Sequence, residues 1–136
     1  MPVDRLFAHL AEHENLGKLF APAKVVRLRD GASNRNGAGS ARSVKPGPLP
    51  AFVETVTDYR ENELIEYRIT KGGLLKNHLG QIRFFRLDAG SSRVAFNIVF
   101  EGKAPGVGSL FRLIISRGIR KGLLELADNK TFARVP

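Results

Sequence analysis

Between residues 51 and 101 the chain alternates stretches of period two with polar turns, and the shortness of those turns constrains the fold most. Residues 51–59, 64–70, 78–87 and 93–101 read as strands, separated by RENE, KGGLLKN and DAGSS. Parallel neighbours need crossovers of a dozen residues or more, so these strands must pair antiparallel, as a meander. Two further strands precede them, 23–29 (AKVVRLR) and 39–45, joined across GASNRNG, in which Asn36-Gly37 is a turn signal. The PGPLP segment at 46–50 is a rigid connector. Six strands are therefore expected.

Helical periodicity frames this meander. Val3, Leu6, Phe7 and Leu10 recur at helical spacing, and Pro2 suits a first helical position, where its missing N–H costs nothing. Residues 14–20 (ENLGKLF) form a second short helix that Pro22 ends. After Pro105-Gly106 a long helix runs from about Val107 to Phe132. One antiparallel sheet with a long helix across it is an α+β architecture.

Alternate strand residues point to opposite faces, so parity sorts the side chains. Val94, Phe96, Ile98 and Phe100 share one face, and Ile65, Tyr67 and Ile69 share another. Phe52 and Val56 are the bulkier set of their strand, and that set carries Glu54. Strand 78–87 leaves two readings. Either Ile82 and Phe84 face inward with His78 and Gly80, or Leu79, Phe85 and Leu87 do. In the long helix, Gly118 and Gly122 fall one turn apart on the side of Phe111 and Ile114. Each costs roughly 1 kcal/mol relative to alanine, so the pair implies either close backbone approach to the sheet or a cavity.

Composition narrows the chemistry. The 136 residues contain no cysteine, which excludes disulfides, thiolate metal sites and a cysteine nucleophile. No apolar run is long enough to span a membrane, and Asp4, Glu12 and Glu14 argue against a secretory signal, so a cytoplasmic single domain over 1–136 is expected. The net charge of +9 is unevenly placed: residues 1–68 hold 10 basic and 9 acidic side chains, and residues 69–136 hold 12 and 4. Such asymmetry favours an anionic partner. The apolar LFRLII followed by Arg117, Arg120 and Lys121, with Arg112 within it, suits an anionic membrane surface. A nucleic-acid partner is disfavoured, because the phenylalanines occupy inward strand positions instead of interleaving with cations on an open face. His9 and His13 stand four apart on what reads as a solvated helix face, with no third ligand to complete a metal site. No metal or cofactor is expected.

The opening PVDRLFAHLAEHENLGKLF, the GxG…R of Gly37, Gly39 and Arg42, and FVETVTDYRENELIEYRITKGG resemble a known superfamily. So do NHLGQIRFF, DAGSSRVAFNIVF and the closing helix. The chain is similar over nearly its whole length to the START/Bet v 1-like (SRPBCC) superfamily, in particular its polyketide cyclase/dehydrase and lipid-transport branch. The resemblance implies a helix-grip fold, in which an antiparallel sheet curls around the C-terminal helix and encloses an apolar cavity. It also implies carriage or transformation of a hydrophobic small molecule such as a lipid, polyketide or quinone.

On that reading Phe52, Val56, Ile65, Tyr67 and Ile69 would line the cavity, together with Ile82, Phe84, Phe96 and Ile98. The helix would contribute Phe111, Ile115, Gly118 and Gly122, and Arg42 and His78 would supply polar groups. The family's usual strand before the first helix is not seen here. Its absence would leave the edge of strand 93–101 open and favour a homodimer through that edge if Met1 is the natural start.

Three functions follow as expectations. The first is carriage by sequestration, in which apolar walls supply affinity and a few polar groups set orientation. The second is a cyclase or dehydratase in which His78, Tyr67 and Glu54 converge, with Arg42 steadying an enolate or carboxylate. An inward Glu54 requires a cation in any case, and Arg42 is the economical partner. The third is an adaptor that docks on membrane or protein through the basic helix.

Overall fold

The computed structural model describes residues 1–20 and 23–128. Helices α1 (Val3–Ala11) and α2 (His13–Gly17) and a 3-10 turn (Lys18–Phe20) come first. Strands β1 (Lys24–Arg29), β2 (Ala41–Lys45), β3 (Phe52–Arg60), β4 (Leu64–Gly72), β5 (Leu75–Arg86) and β6 (Ser92–Gly102) follow, and α3 (Val107–Asp128) closes the described chain. The strands form one sheet in the order β1-β2-β3-β4-β5-β6, every pair antiparallel. With α3 laid over its inner face, this is the helix-grip fold. The expected stop at Pro22 and the expected helical residues 129–132 lie outside the described residues.

Local chemistry explains where the elements depart from expectation. Pro2 caps α1 from one position earlier than expected, and its carbonyl accepts the Leu6 N–H at 3.0 Å. β2 starts at Ala41 because Gly39 turns the chain with φ +91°, a conformation that favours glycine. β5 starts three residues before the expected position. Only Gly73-Leu74 separates the two strands, and Gly72 and Gly73 both turn the chain at positive φ. Asn77, at φ 52°, then inserts a bulge that interrupts the alternation, so Leu75 and His78 both face inward. From His78 onward the parity is regular, and Gly80, Ile82 and Phe84 are buried, while Phe85 and Leu87 are exposed.

The inner face of the sheet is divided. Leu6, Phe7 and Leu10 of α1 and Leu16 of α2 pack on Val56, Ile65, Tyr67, Ile82 and Phe84. Phe7 makes edge contacts with Tyr59 and Phe84 at centroid separations of 5.2 and 4.9 Å. A second cluster joins Val44, Phe52 and Leu75 to Phe111 of α3. The helical stripe in the first residues therefore fills half of the sheet, and α3 covers the rest.

The face that α3 turns inward carries Phe111, Ile115, Gly118, Ile119 and Gly122, whereas Ile114 is 47% exposed. Gly118 and Gly122 approach the 3-10 turn, not the sheet. A Cβ on Gly118 would lie 3.0 Å from the Leu19 carbonyl oxygen, and one on Gly122 would overlap the Leu19 side chain.

Candidate functional site

Between α3 and the sheet, lined from strands β2 to β6, lies a cavity of about 390 Å³. That volume is within the range of sites that enclose a small ligand. Its wall is overwhelmingly apolar and includes Phe52, Ile69, Leu75, Ile98, Phe111 and Ile115. The 46–49 loop borders it, and the exposed Gly47, Pro48 and Ile114 on the wall mark its opening. Glu54, Tyr67 and His78 form its polar end.

These polar groups meet because the register aligns them. Arg42 on β2 stands directly opposite Glu54 on β3, and its Nε donates to Glu54 Oε1 at 2.9 Å. Both side chains are almost fully buried. On β4, Tyr67 lies opposite Gly80 of β5, where a Cβ would overlap the Tyr67 ring, so the glycine makes room for the phenol. The Arg42 guanidinium sits 4.9 Å from the centroid of the same ring. His78 packs against it from the other direction, at a centroid separation of 5.5 Å.

Hydrogen bonding assigns the protons. The Ile69 N–H donates to His78 Nδ1 at 3.0 Å, so the neutral ring carries its proton on Nε2, which is 3.7 Å from Glu54 Oε2. Burial holds the His78 pKa below its ordinary value, against the raising influence of Glu54. The network continues away from the cavity. Arg42 Nη1 donates to His13 Nδ1 at 3.3 Å, because arginine can only donate. His13 Nε2 therefore donates to Ser40 Oγ at 2.9 Å, and the Ser40 hydroxyl donates in turn to the Gly37 carbonyl at 2.7 Å. Burial, followed by the charges of Arg42 and Arg27, lowers the His13 pKa to about 3.

Two buried polar atoms are left without a hydrogen-bond partner among the described residues: Tyr67 Oη and Arg42 Nη2. Burial foremost, with the Glu54 charge, pushes the Tyr67 hydroxyl well above its ordinary pKa, so it remains a donor at neutral pH.

The structure distributes the expected site residues unevenly. Phe52, Tyr67, Ile69, His78, Ile98, Phe111, Ile115 and Gly118 are on the cavity wall. Val56, Ile65, Ile82 and Phe84 instead lie in the core beneath α1, and Phe96 packs against that core. Gly122 meets Leu19, and Arg42 is buried behind the wall, where it holds Glu54. Parity left strand 78–87 with two readings, which burial of His78, Ile82 and Phe84 decides, and it could not tell which inward residues a helix would cover.

His13 departs furthest from expectation. It is fully buried, not on a solvated face, because α1 ends at Ala11 and the extended Glu12 breaks the helix between His9 and His13. Among the described residues no group of three His, Asp or Glu side chains gathers to hold a metal. Wall residues missing from the expected set include Leu75, which the bulge turns inward, Val44 of β2, Phe20, Ala23, Ile114 and the Pro46–Leu49 loop. The only sequence signal there was an apolar Leu49 between prolines.

Comparison with known proteins agrees with this architecture. Among curated proteins none matches the chain. The aromatase/cyclase Zhui from Streptomyces sp. R1128 superposes with a TM-score of 0.73 at 19% identity, over 98% of this chain and 90% of that one. A structural-genomics protein from Nitrosospira multiformis gives 0.70 at 14%, over 96% and 91%. Norcoclaurine synthase from Thalictrum flavum, solved with dopamine and hydroxybenzaldehyde, gives 0.57 at 16%, over 91% and 80%. At these identities the likeness is one of fold. The family model for polyketide cyclase / dehydrase and lipid transport matches residues 1–129, and the chain belongs to that SRPBCC family.

Proposed function

We infer that the protein binds and carries a hydrophobic small molecule whose polar end accepts a hydrogen bond. The observation that carries this reading is the pairing pattern at the polar end of the cavity. Glu54 is held by Arg42, His78 Nδ1 is occupied by the Ile69 amide, and the unpaired polar atom on the wall is Tyr67 Oη, a hydroxyl that can donate. A buried donor without a partner costs about 1–3 kcal/mol, which an acceptor on the ligand would recover. The apolar wall supplies affinity at about 25 cal/mol per Å² of buried surface.

The same pairing weighs against His78 as the base of a cyclase or dehydratase and would leave that role to Glu54 on the cavity wall. A general base needs a free lone pair, yet the neutral His78 ring has its Nδ1 occupied and its Nε2 protonated toward Glu54. The relatives' names, an aromatase/cyclase among them, keep a polyketide-like aromatic within the range of ligands.

Native mass spectrometry of gently purified protein, followed by denaturation and extraction, tests the reading. The expected result is a non-covalent adduct that is recovered chemically unchanged, with Tyr67→Phe lowering its affinity about two- to tenfold. A bare mass together with no uptake of an apolar fluorescent probe would sink carriage. An adduct that returns altered, and does so only when His78 is intact, would favour the enzyme.

A further inference from the structure

We propose that the end of the molecule carrying the cavity opening docks on an anionic lipid surface. The meander turns a scattered set of lysines into a rim. Lys24, Lys45, Lys71, Lys76 and Lys103 all lie at or just beyond the strand ends from which α3 departs. Register ties them together: Lys24 pairs with Lys45, Lys71 with Val53 at the start of β3, and Lys76 with Glu101 at the end of β6. Lys103 Nζ reaches back to the Gly73 carbonyl at 2.9 Å, and Lys45 Nζ to the Leu49 carbonyl at 3.1 Å. Glu101 is the one acid among these strand-end residues, and it accepts the Asn77 amide. The opposite strand ends carry Arg29, Arg60, Arg86 and Arg93, but acids gather near them: Asp30, with Glu12 and Glu14 of the N-terminal helices, pairs with Arg27 and Arg35, and Asp58 pairs with Arg60.

α3 starts at this rim, and its exposed face carries further cations away from it. Leu110, Ile114, Arg117 and Lys121 follow one another at helical spacing along one exposed stripe. Leu113, Arg120 and Leu124 flank it, whereas Arg112 lies further round the helix. Neither Arg117 nor Lys121 has an ion-pair partner among the described residues. Leu110, Leu113 and Ile114 are each nearly half exposed, and Ile114 also belongs to the cavity wall.

Cations interleaved with exposed aliphatic side chains match a headgroup–acyl boundary: ammonium and guanidinium groups meet phosphates while leucine and isoleucine enter the apolar layer. Charge alone would equally suit an acidic protein, so the aliphatic part of the stripe decides for lipid. Docking in this pose would turn the cavity opening toward the source of an apolar ligand.

Sedimentation with vesicles tests this without any cavity ligand, so its failure would leave the carriage reading intact. The probes are vesicles of phosphatidylcholine alone and of phosphatidylcholine mixed with phosphatidylserine. The protein is expected to sediment with the mixed vesicles only, and to release as salt rises from about 0.1 M to about 1 M and the Debye length falls from ~10 Å to ~3 Å. Replacing Lys24, Arg117 and Lys121 by alanine should lower partitioning about fivefold for each cation removed. Leu110→Ser, at an exposed site off the cavity wall, should lower it as well. Circular dichroism of both variants should show the wild-type fold, since every substituted side chain is exposed. No sedimentation with the mixed vesicles, or sedimentation unchanged in the triple variant, would overturn the proposal. So would tight retention of polyglutamate combined with indifference to Leu110→Ser, which would assign the face to an acidic protein.

Discussion

His13 shows how one side chain can tie stability to pH. Its folded pKa of about 3 lies below the ordinary 6.5, so between these values the unfolded chain takes up a proton that the folded chain refuses. Stability is full above about pH 6.5 and falls as the pH drops toward 3, by up to about 1.4 kcal/mol per pH unit for one proton. His78, also depressed, acts in the same direction. Urea unfolding at pH 7 and pH 5 should therefore show a loss in the wild type that is visibly smaller in His13→Gln. An equal loss in both would mean that His13 is not the group responsible.

The Arg42–Glu54 pair makes a different demand. Removing one partner leaves the other buried and unpaired, so Glu54→Ala should cost about 3–5 kcal/mol. The double change Arg42→Met with Glu54→Leu should recover most of that loss in the same denaturant titration. The need of an inward Glu54 for Arg42 was legible from parity and the cost of a lone buried carboxylate. The partnership of Arg42 with His13 was not, because it depends on a single extended residue, Glu12, that breaks a helical pattern.

At the scale of elements, the strands were legible because period two and short turns are local signals. Errors fell where one residue changes the phase. Asn77 at positive φ moves Leu75 to the inner face, and no alternation count reveals a bulge in advance. The glycines of α3 make a similar point. Gly122→Ala would gain about 1 kcal/mol of helix propensity, but its Cβ would lie 3.1 Å from Leu19 Cα and overlap the leucine side chain. Overpacking of that kind costs about 1–3 kcal/mol, so a net loss of about 1 kcal/mol is expected, read as a lower thermal midpoint. A higher midpoint would show that the 3-10 turn yields freely.

For the whole molecule, the open flank of β6 bears on assembly. Among the described residues β6 pairs only with β5, while Ser92 Oγ donates to the Met1 carbonyl at 2.8 Å. An unpaired edge of eleven residues is a template for pairing with a second copy. If Met1 is the natural start, light scattering at high micromolar concentration should give the mass of a dimer. A strictly monomeric mass would show that the edge is blunted by other means. Among the described residues no helix is long and apolar enough to cross a membrane.

By itself the sequence determined the order of elements, the meander and the inward parity of most strand residues. These depend on backbone geometry, on turn length and on a period that each stretch carries locally. Only the tertiary structure decided which inward side chains face open space. Whether Phe84 is core and Ile98 is wall depends on where α1 settles on the sheet. The tertiary structure also placed the lysines along one end of the sheet, since residues as far apart in the chain as Lys24 and Lys103 are aligned at that end only once six strands have paired.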